Sequence, residues 1–431
     1  MIAPLNKDSR VLIVGGGGTF GSSTALHLAR RGYTNITAID VHPCPSEWSA
    51  GCDLNKIIRT EYSDELYARL AAQAIEAWKS DDIFSPHFHQ TGWVIAASDA
   101  NSRTADELIR KAYEVLKRTD LADKIELLET PEAILKRAPH LQPAAKNIQD
   151  WYGLWNANNG WAMARDAVAA AGKQADLMGV KFISGDKGTM VSLVKDENGV
   201  VKGVLCKDGT VHEADRVILC TGAWSPSLVD LKDQCLSKCW TVGHIQLTPE
   251  EAAPLRGAPV VDHSDLGFFF EPSADNKIKL CNATPGYTHF QRLPSFSEKI
   301  SVPSPVKNAI PKEAHDALRV FVDTVLPQFS DRPLIDEFVC WCTDHKDGGW
   351  LIGEIPGTEG LLLATGDSGM AFKFLPTIGA HIADALEGTL DEKRKNAWRW
   401  RPEIQGHEDE SRPEGEVKDL VGLDGWPEAK S

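Results

Sequence analysis

Apolar residues in this chain follow two different periods, and the switches between them divide it into blocks. The run Val11–Val14 predicts a buried strand, and it leads straight into Gly15-Gly16-Gly17-Gly18-Thr19-Phe20-Gly21. A helix-forming segment over 24–30 follows, Gly32 stops it, and Ile36–Ile39 is a second apolar strand ending in Asp40. Leu66, Tyr67, Leu70, Ala74 and Ile75 recur at helical spacing, so residues 11–82 read as β-α-β plus a further helix. The grammar changes over 83–150, where residues 92–97 alternate as a strand and a long charged helix falls near 103–118. It then returns with a helix over 162–178, a strand over 180–183 and a hairpin of 191–194 with 200–206 turned at Asn198-Gly199. An apolar strand over 216–223 ends in small residues. Residues 226–330 change again, to alternating and Pro-punctuated segments at 243–247, 267–271 and 277–281 that predict a mainly antiparallel sheet. A last apolar strand spans 360–366, a helix spans 376–387, and the stretch after Arg401 is charged, rich in Pro and Gly, and reads as irregular.

Gly16, Gly18 and Gly21 satisfy the G-x-G-x-x-G spacing between a strand and a helix. The three positions serve a tight turn, close backbone approach to a pyrophosphate, and close packing of helix on strand. The N–H groups and positive dipole end of the following helix suit phosphate. Asp40 stands 24 residues past Gly16, where a carboxylate accepts hydrogen bonds from a ribose. These elements in order predict a dinucleotide site, and the acid favours NAD or FAD over NADP. A nucleotide domain left twice and re-entered twice, with a β-rich excursion each time, is characteristic of flavin oxidases rather than nicotinamide dehydrogenases. Three apolar strands ending at Gly15, Thr221 and Thr365 can converge on one cofactor, the last continuing as Gly366-Asp367-Ser368-Gly369. The expected fold is α/β: a discontinuous Rossmann-type FAD-binding domain from 1–82, 151–225 and 331–400. A discontinuous α+β substrate domain on a mainly antiparallel sheet comes from 83–150 and 226–330, and 401–431 forms a tail near the substrate site.

The net charge of −15 on 431 residues argues against nucleic acid and anionic membranes as partners. No apolar run approaches the roughly 18–20 residues needed to cross a bilayer. Residues 1–7 are too short and polar for a signal peptide, and nine scattered cysteines, an odd number, suit reduced thiols inside a cell. Ala429-Lys430-Ser431 is not a complete peroxisomal tripeptide, leaving a cytoplasmic or peroxisomal location open. No paired C-x-x-C and no H-E-x-x-H occurs, so no metal is expected.

Several strings resemble the monomeric sarcosine oxidase superfamily, and within it the fungal fructosyl amino acid and fructosyl peptide oxidases, or amadoriases. They are Ser49-Ala50-Gly51-Cys52-Asp53-Leu54-Asn55-Lys56-Ile57-Ile58-Arg59, Gly222-Ala223-Trp224-Ser225-Pro226 and His244-Ile245-Gln246-Leu247-Thr248-Pro249-Glu250-Glu251-Ala252. Gly267-Phe268-Phe269-Phe270-Glu271-Pro272, Cys340-Trp341-Cys342-Thr343-Asp344, Ala364-Thr365-Gly366-Asp367-Ser368-Gly369 and Trp398-Arg399-Trp400-Arg401-Pro402 complete the set, so the likeness runs nearly end to end. It implies a glutathione-reductase-like flavin amine oxidase, a monomer, that oxidises a secondary amine to an imine with FAD as hydride acceptor and oxygen as reoxidant. For an amadoriase the substrate is a glycated amino acid or short peptide, released as glucosone, free amine and hydrogen peroxide.

The resemblance also implies roles for residues. Cys340 is similar to the cysteine bonded through sulfur to the flavin 8α-methyl group, while Cys342 reads as a small buried hydrophobe. Lys279 resembles the lysine that holds a water at flavin N5 and stabilises charge as oxygen is reduced; alternation places it on one strand face with Lys277 and Cys281. Cofactor contacts are implied for Thr19, Phe20, Ser49, Asp53, Lys56, Val191, Ala223, Trp224, Gly369, Phe372 and Lys373. Lys56 is also implied as a catalytic cation toward reduced flavin, and Ser368 as a substrate contact. Arg59 is open between a substrate contact and a structural ion-pair partner. Arg412 is either the carboxylate-binding arginine or an exposed arginine in a flexible tail. Two departures stand out: Asn282 and Ala283 occupy positions where acids are usual, and Met370 replaces the customary His or Asn. Residues 57–62 look closer to oxidases of saccharopine, pipecolate or N-methyl amino acids, which stay as the alternative; an NAD-dependent dehydrogenase is the distant one.

Overall fold

The parallel strands are so apolar because they are covered on both faces. In the computed structural model, which describes residues 5–98, 102–404 and 412–427, Val11 and Ile13 pack into one hydrophobic cluster and Leu12 and Val14 into another. The six-stranded sheet runs in the order Leu351–Glu354, Leu361–Thr365, Arg216–Leu219, Val11–Val14, Ile36–Ile39, Lys181–Ile183. All neighbours are parallel except the first pair. Helices Thr19–Arg30, Ala164–Leu177 and Ile378–Glu387 cover one face; the antiparallel layer Met190–Lys195, Val201–Cys206, Val211–Glu213 covers the other.

A ten-stranded, mainly antiparallel sheet forms the second layer system. Two segments expected in the nucleotide domain pair here instead. Tyr152–Asn156 lies antiparallel to Trp93–Ala97, and Ile335–His345 runs along Cys235–Gln246, with Cys340 opposite Trp240. The reason is reach: an eleven-residue strand leaves the large sheet and delivers the chain to the nucleotide sheet at Leu351. Trp93–Ala97 is buried on both faces, so its alternation marks two cores rather than one wet face. Helix Lys312–Val325, not expected from the sequence, backs this sheet with Ala314, Leu318, Phe321, Val322 and Val325. The helical stretch near 103–118 is present over 103–116, with a π-type turn at Asp106–Lys111.

The C-terminal stretch is more ordered than its composition suggests. Lys418–Asp419 pairs in parallel with Tyr287–Thr288, and Leu420 and Trp426 are buried in the core of the large sheet. The C-terminal tripeptide at 429–431 and residues 1–4 lie outside the described residues. Among the described residues no helix is long and apolar enough to cross a membrane.

Candidate functional site

The glycine turn is built by two kinds of necessity. A Cβ on Gly21 would stand 2.1 Å from the Gly15 carbonyl oxygen, and one on Gly16 would stand 2.7 Å from Ala38 Cβ, so the chain itself demands both glycines. Gly18 differs: its added Cβ meets nothing nearer than Ser49 Oγ at 3.4 Å. The space beside Gly18 is therefore free for a ligand. Helix Thr19–Arg30 begins there with no side-chain cap and no acid in its first turn, leaving its N–H groups to an anion. Asp40 accepts from Gly17 N–H at 2.9 Å and from Ser46 Oγ at 2.7 Å, which fixes its carboxylate at the turn with lone pairs to spare. Gly21→Ala is expected to destabilise the fold by about 1–3 kcal/mol through overpacking, whereas Gly18→Ala keeps the melting temperature and loses bound flavin. Thermal melts and flavin content of the two purified variants check this contrast.

Gly15, Thr221 and Thr365, the ends of three parallel strands, meet at a cleft of about 520 Å³. Gly18, Thr19, Phe20, Asp40, Ser49, Ala223 and Trp224 line it. A second cleft of about 520 Å³ adjoins it, between the nucleotide domain and the large sheet. Lys56, Cys342, Gly369 and Phe372 belong to both, and form their common wall. Cys340, Ser368, Lys373, Arg59 and Arg412 line the second cleft only.

Behind the common wall lies a buried charge cluster. The Asp53 carboxylate is 2.5 Å from Lys279 Nζ and 2.8 Å from Lys56 Nζ; Lys279 also donates to the Asn55 carbonyl at 2.8 Å. Burial alone raises the Asp53 carboxyl, but the two ammonium groups overcome this and hold it well below the carboxylate range. Lys279 is 1% exposed and lines neither large cleft, so the structure sets it one layer behind the wall expected to carry it. Lys56 bridges the cluster to the wall, with Nζ 3.5 Å from Cys340 Sγ. The Cys340 thiol falls to about 6: the Cys342 thiol donates to its sulfur and Lys56 adds positive charge, against the opposing effect of burial. Cys342, as donor, is pushed well up. The small-hydrophobe reading of Cys342 thus missed a hydrogen bond to its neighbour on the same strand face.

Arg412 is no exposed tail residue. Its guanidinium reaches Asp344 at 3.1 and 3.3 Å, lies 3.8 Å from the centre of the Trp240 ring, and presses on Gly369, where a Cβ would stand 2.1 Å from its Nη2. Asp344 is also paired with buried Lys238 at 2.8 Å, so the group carries a net positive charge at the cleft. Arg59 donates to the Glu61 carbonyl and stacks over Tyr62, which favours a wall-building role over an ion pair. Burial, with the charges of Arg59 and Arg412, pushes Lys373 well below the ordinary lysine value; it donates to the Met370 carbonyl at 3.0 Å. Val191 is corrected: it is 56% exposed, because a register shift after Met190 turns it outward. Gly188, Thr189 and Met190 line the dinucleotide cleft in its place. Sequence reasoning also missed Asp262 and Trp240 on the second cleft; only strand pairing brings them there.

Residues 10–385 match the family model described as FAD dependent oxidoreductase, and the chain belongs to that family. It is a flavin-dependent oxidoreductase with the fold of the amadoriases. A modified fructosyl peptide oxidase from Aspergillus nidulans superposes with a TM-score of 0.92 at 40% identity, over 98% of this chain and 100% of that one. Amadoriase I, a fructosyl amine:oxygen oxidoreductase from Aspergillus fumigatus, superposes at 0.88 with 34% identity, over 99% of each. L-saccharopine oxidase of Schizosaccharomyces pombe is 34% identical over 93% of this chain and 95% of its own.

Proposed function

We propose that this chain oxidises secondary amines that bear a carboxylate, with fructosyl amino acids or short fructosyl peptides as substrates and glucosone, free amine and hydrogen peroxide as products. The observation that carries this reading is the common wall: a dinucleotide cleft and a second cleft that holds Arg412 share Lys56, Cys342, Gly369 and Phe372. The Gly15–Gly21 turn, Asp40 and the N-terminus of helix Thr19–Arg30 would hold FAD along the first cleft, where it would supply a hydride acceptor for the carbon beside the amine nitrogen and a route for the electrons to oxygen. The amine supplies its own electrons, so the protein's tasks are orientation, electrostatics and exclusion of water. Asp40 takes the ribose and the helix N-terminus the pyrophosphate. Cys340 carries the covalent tether, supported by its lowered thiol and the nearby Lys56. Arg412 takes the substrate carboxylate, supported by its fixed pose beside Gly369 and a charge that Asp344 does not cancel, since Lys238 shares that acid. Lys279 acts on oxygen only through the Asp53–Lys56 cluster, supported by its burial and its two fixed partners. Nine cysteines outside any disulfide, with Cys235 and Cys239 buried in a strand, support an intracellular setting, cytoplasmic or peroxisomal.

A second reading, oxidation of saccharopine or a related N-alkyl amino acid, has a specific observation behind it: the L-saccharopine oxidase of Schizosaccharomyces pombe is 34% identical over 93% of this chain. A peroxide-coupled assay over fructosyl-valine, fructosyl-lysine, saccharopine, pipecolate and sarcosine separates the two. We expect the fructosyl amines to exceed sarcosine and pipecolate at least tenfold in kcat/KM, a difference of about 1.4 kcal/mol. Saccharopine as the preferred substrate installs the second reading, and a protein colourless after reconstitution with FAD overturns both.

A further inference from the structure

The second cleft is lined by five carboxylates, and four of them are already in use by the chain. Glu61 accepts from Asn156 and Asn159, Asp64 caps the Leu66 N–H, Glu107 takes Ser63 and Lys111, and Asp347 takes Arg401 and Gly349 N–H. Asp262 is the fifth. Among the described residues no donor reaches its carboxyl group. It is partly buried on strand Val260–His263, where alternation puts it on the cleft-side face with Val260, and register sets it beside Phe268 and Ile95. A carboxylate kept on an apolar wall without a donor is costly unless something else supplies one.

Two neighbouring positions on the sheet bring no acid to the cleft. Asn282 lines the cleft, yet its side-chain amide donates to Thr241 Oγ1 and to the Ala314 carbonyl of the helix behind the sheet, both at 2.9 Å. Ala283 has no polar group. Cys281, by contrast, is paired with Phe268, which is paired with Asp262, so these three form one row across the sheet on the cleft side. Of Asp262, Phe268, Cys281, Asn282 and Ala283, only Asp262 thus brings a carboxylate to the cleft.

We propose that Asp262 is the specificity carboxylate of this cleft, accepting hydrogen bonds from the donor-rich end of the substrate while Arg412 holds its carboxylate. The proposal rests on the amine-oxidase reading and deepens it. The shared ligand chemistry is a cluster of N–H or O–H donors: a primary ammonium, as in saccharopine, or the vicinal hydroxyls of a fructosyl group. Pipecolate and sarcosine have neither, and gain nothing from Asp262. Burial raises this carboxyl to about 7, with Arg59 drawing it back. The charged or titratable groups lining the cleft with it are Lys56, Arg59, Glu61, Tyr62, Asp64, Tyr67, Glu107, Lys111, Cys281, Cys340, Cys342, Asp347, Lys373 and Arg412; its direct partners on the adjoining strands are Ile95 and Phe268. It gains its charge as pH rises through that value, so recognition of an ammonium strengthens from pH 6 to 8.

The test uses flavin-loaded wild type, Asp262→Ala and Asp262→Asn, with fructosyl-lysine, saccharopine and pipecolate. Both kcat/KM and dissociation constants are measured, the latter from flavin absorbance without oxygen. Loss of a hydrogen bond to a charged group predicts a fall of about 10- to 150-fold for the donor-bearing substrate the wild type accepts. Pipecolate binding changes less than threefold, and the rise in kcat/KM between pH 6 and 8 disappears. An equal loss for every ligand, or none, overturns the role of Asp262 while leaving the amine-oxidase reading standing. A wild type that binds neither fructosyl-lysine nor saccharopine overturns both. Melting temperatures of the variants guard against misfolding, and Asp262→Glu restoring the ammonium preference completes the case.

Discussion

Asp53→Ala is expected to cost the fold about 3–5 kcal/mol, because it strands buried cations without a counter-charge. Lys279 is fully enclosed; its ammonium donates to Asp53 and to the Asn55 carbonyl and lies over the Phe270 ring. Lys56 is held by the same carboxylate oxygen. With Asp53 gone, the enclosed Lys279 ammonium faces Lys56 on the cleft wall with no counter-charge between them, and the structure must open to water to solvate it. Urea unfolding of the wild type and of Asp53→Ala measures the loss. Adding Lys279→Met recovers much of it, since an apolar side chain of similar length leaves no orphan charge behind. The pH dependence has a definite sign. Asp53 is depressed in the folded state, so its contribution is complete above the unfolded carboxylate value of about 3.9 and fades as pH falls below it. The wild type should therefore lose stability steeply between about pH 4 and 2, and Asp53→Ala less so over the same range. An unchanged acid limb in the variant refutes the cluster's electrostatic role.

The dinucleotide half of this site was legible because its logic is local. Gly16, Gly18, Gly21 and Asp40 lie within one β-α-β unit, so spacing along the chain maps directly onto distance in space. The second cleft was legible only through resemblance. Arg412 reaches it because a short strand pairing at Lys418–Asp419 pins the C-terminal stretch against the large sheet, and nothing in a Pro- and Gly-rich composition signals that. Asp262 reaches it through register, which places it in a row with Phe268 and Cys281 from strands far apart in sequence. Val191 failed for the opposite reason: the resemblance implied a cofactor contact, and a single register shift turned its side chain to solvent. Helix Lys312–Val325 had the clearest unread signal, with apolar residues at 314, 318, 321, 322 and 325 at helical spacing. Assigning the whole of 226–330 to a sheet hid it.

Cys340→Ala is expected to abolish acid-stable flavin entirely. Wild type precipitated with acid should stay yellow, whereas the variant should release all of its flavin to the supernatant, and the difference is read by absorbance without any turnover. The chemistry behind this is a thiolate. A sulfur lowered to about 6 is mostly ionised at pH 7, while an ordinary thiol near 8.5 is ionised by only a few per cent. Two neighbours produce that difference: the Cys342 thiol donating from the same strand face, and Lys56 at 3.5 Å. Cys342→Ala removes the donated hydrogen bond and leaves Lys56 in place. It should slow covalent incorporation of added FAD at pH 7 markedly, because burial then opposes the thiolate with chiefly Lys56 favouring it. Its final extent should be unaltered, because the nucleophile itself remains. In the wild type the rate should climb as pH rises through about 6 and level off near 7, and in Cys342→Ala the climb should move to higher pH. Incorporation that persists in Cys340→Ala assigns the bond to another residue and overturns the tether. A Cys342→Ala profile that overlays the wild type instead leaves Lys56 as the group that ionises the sulfur, a distinction Lys56→Met then tests at the same pH.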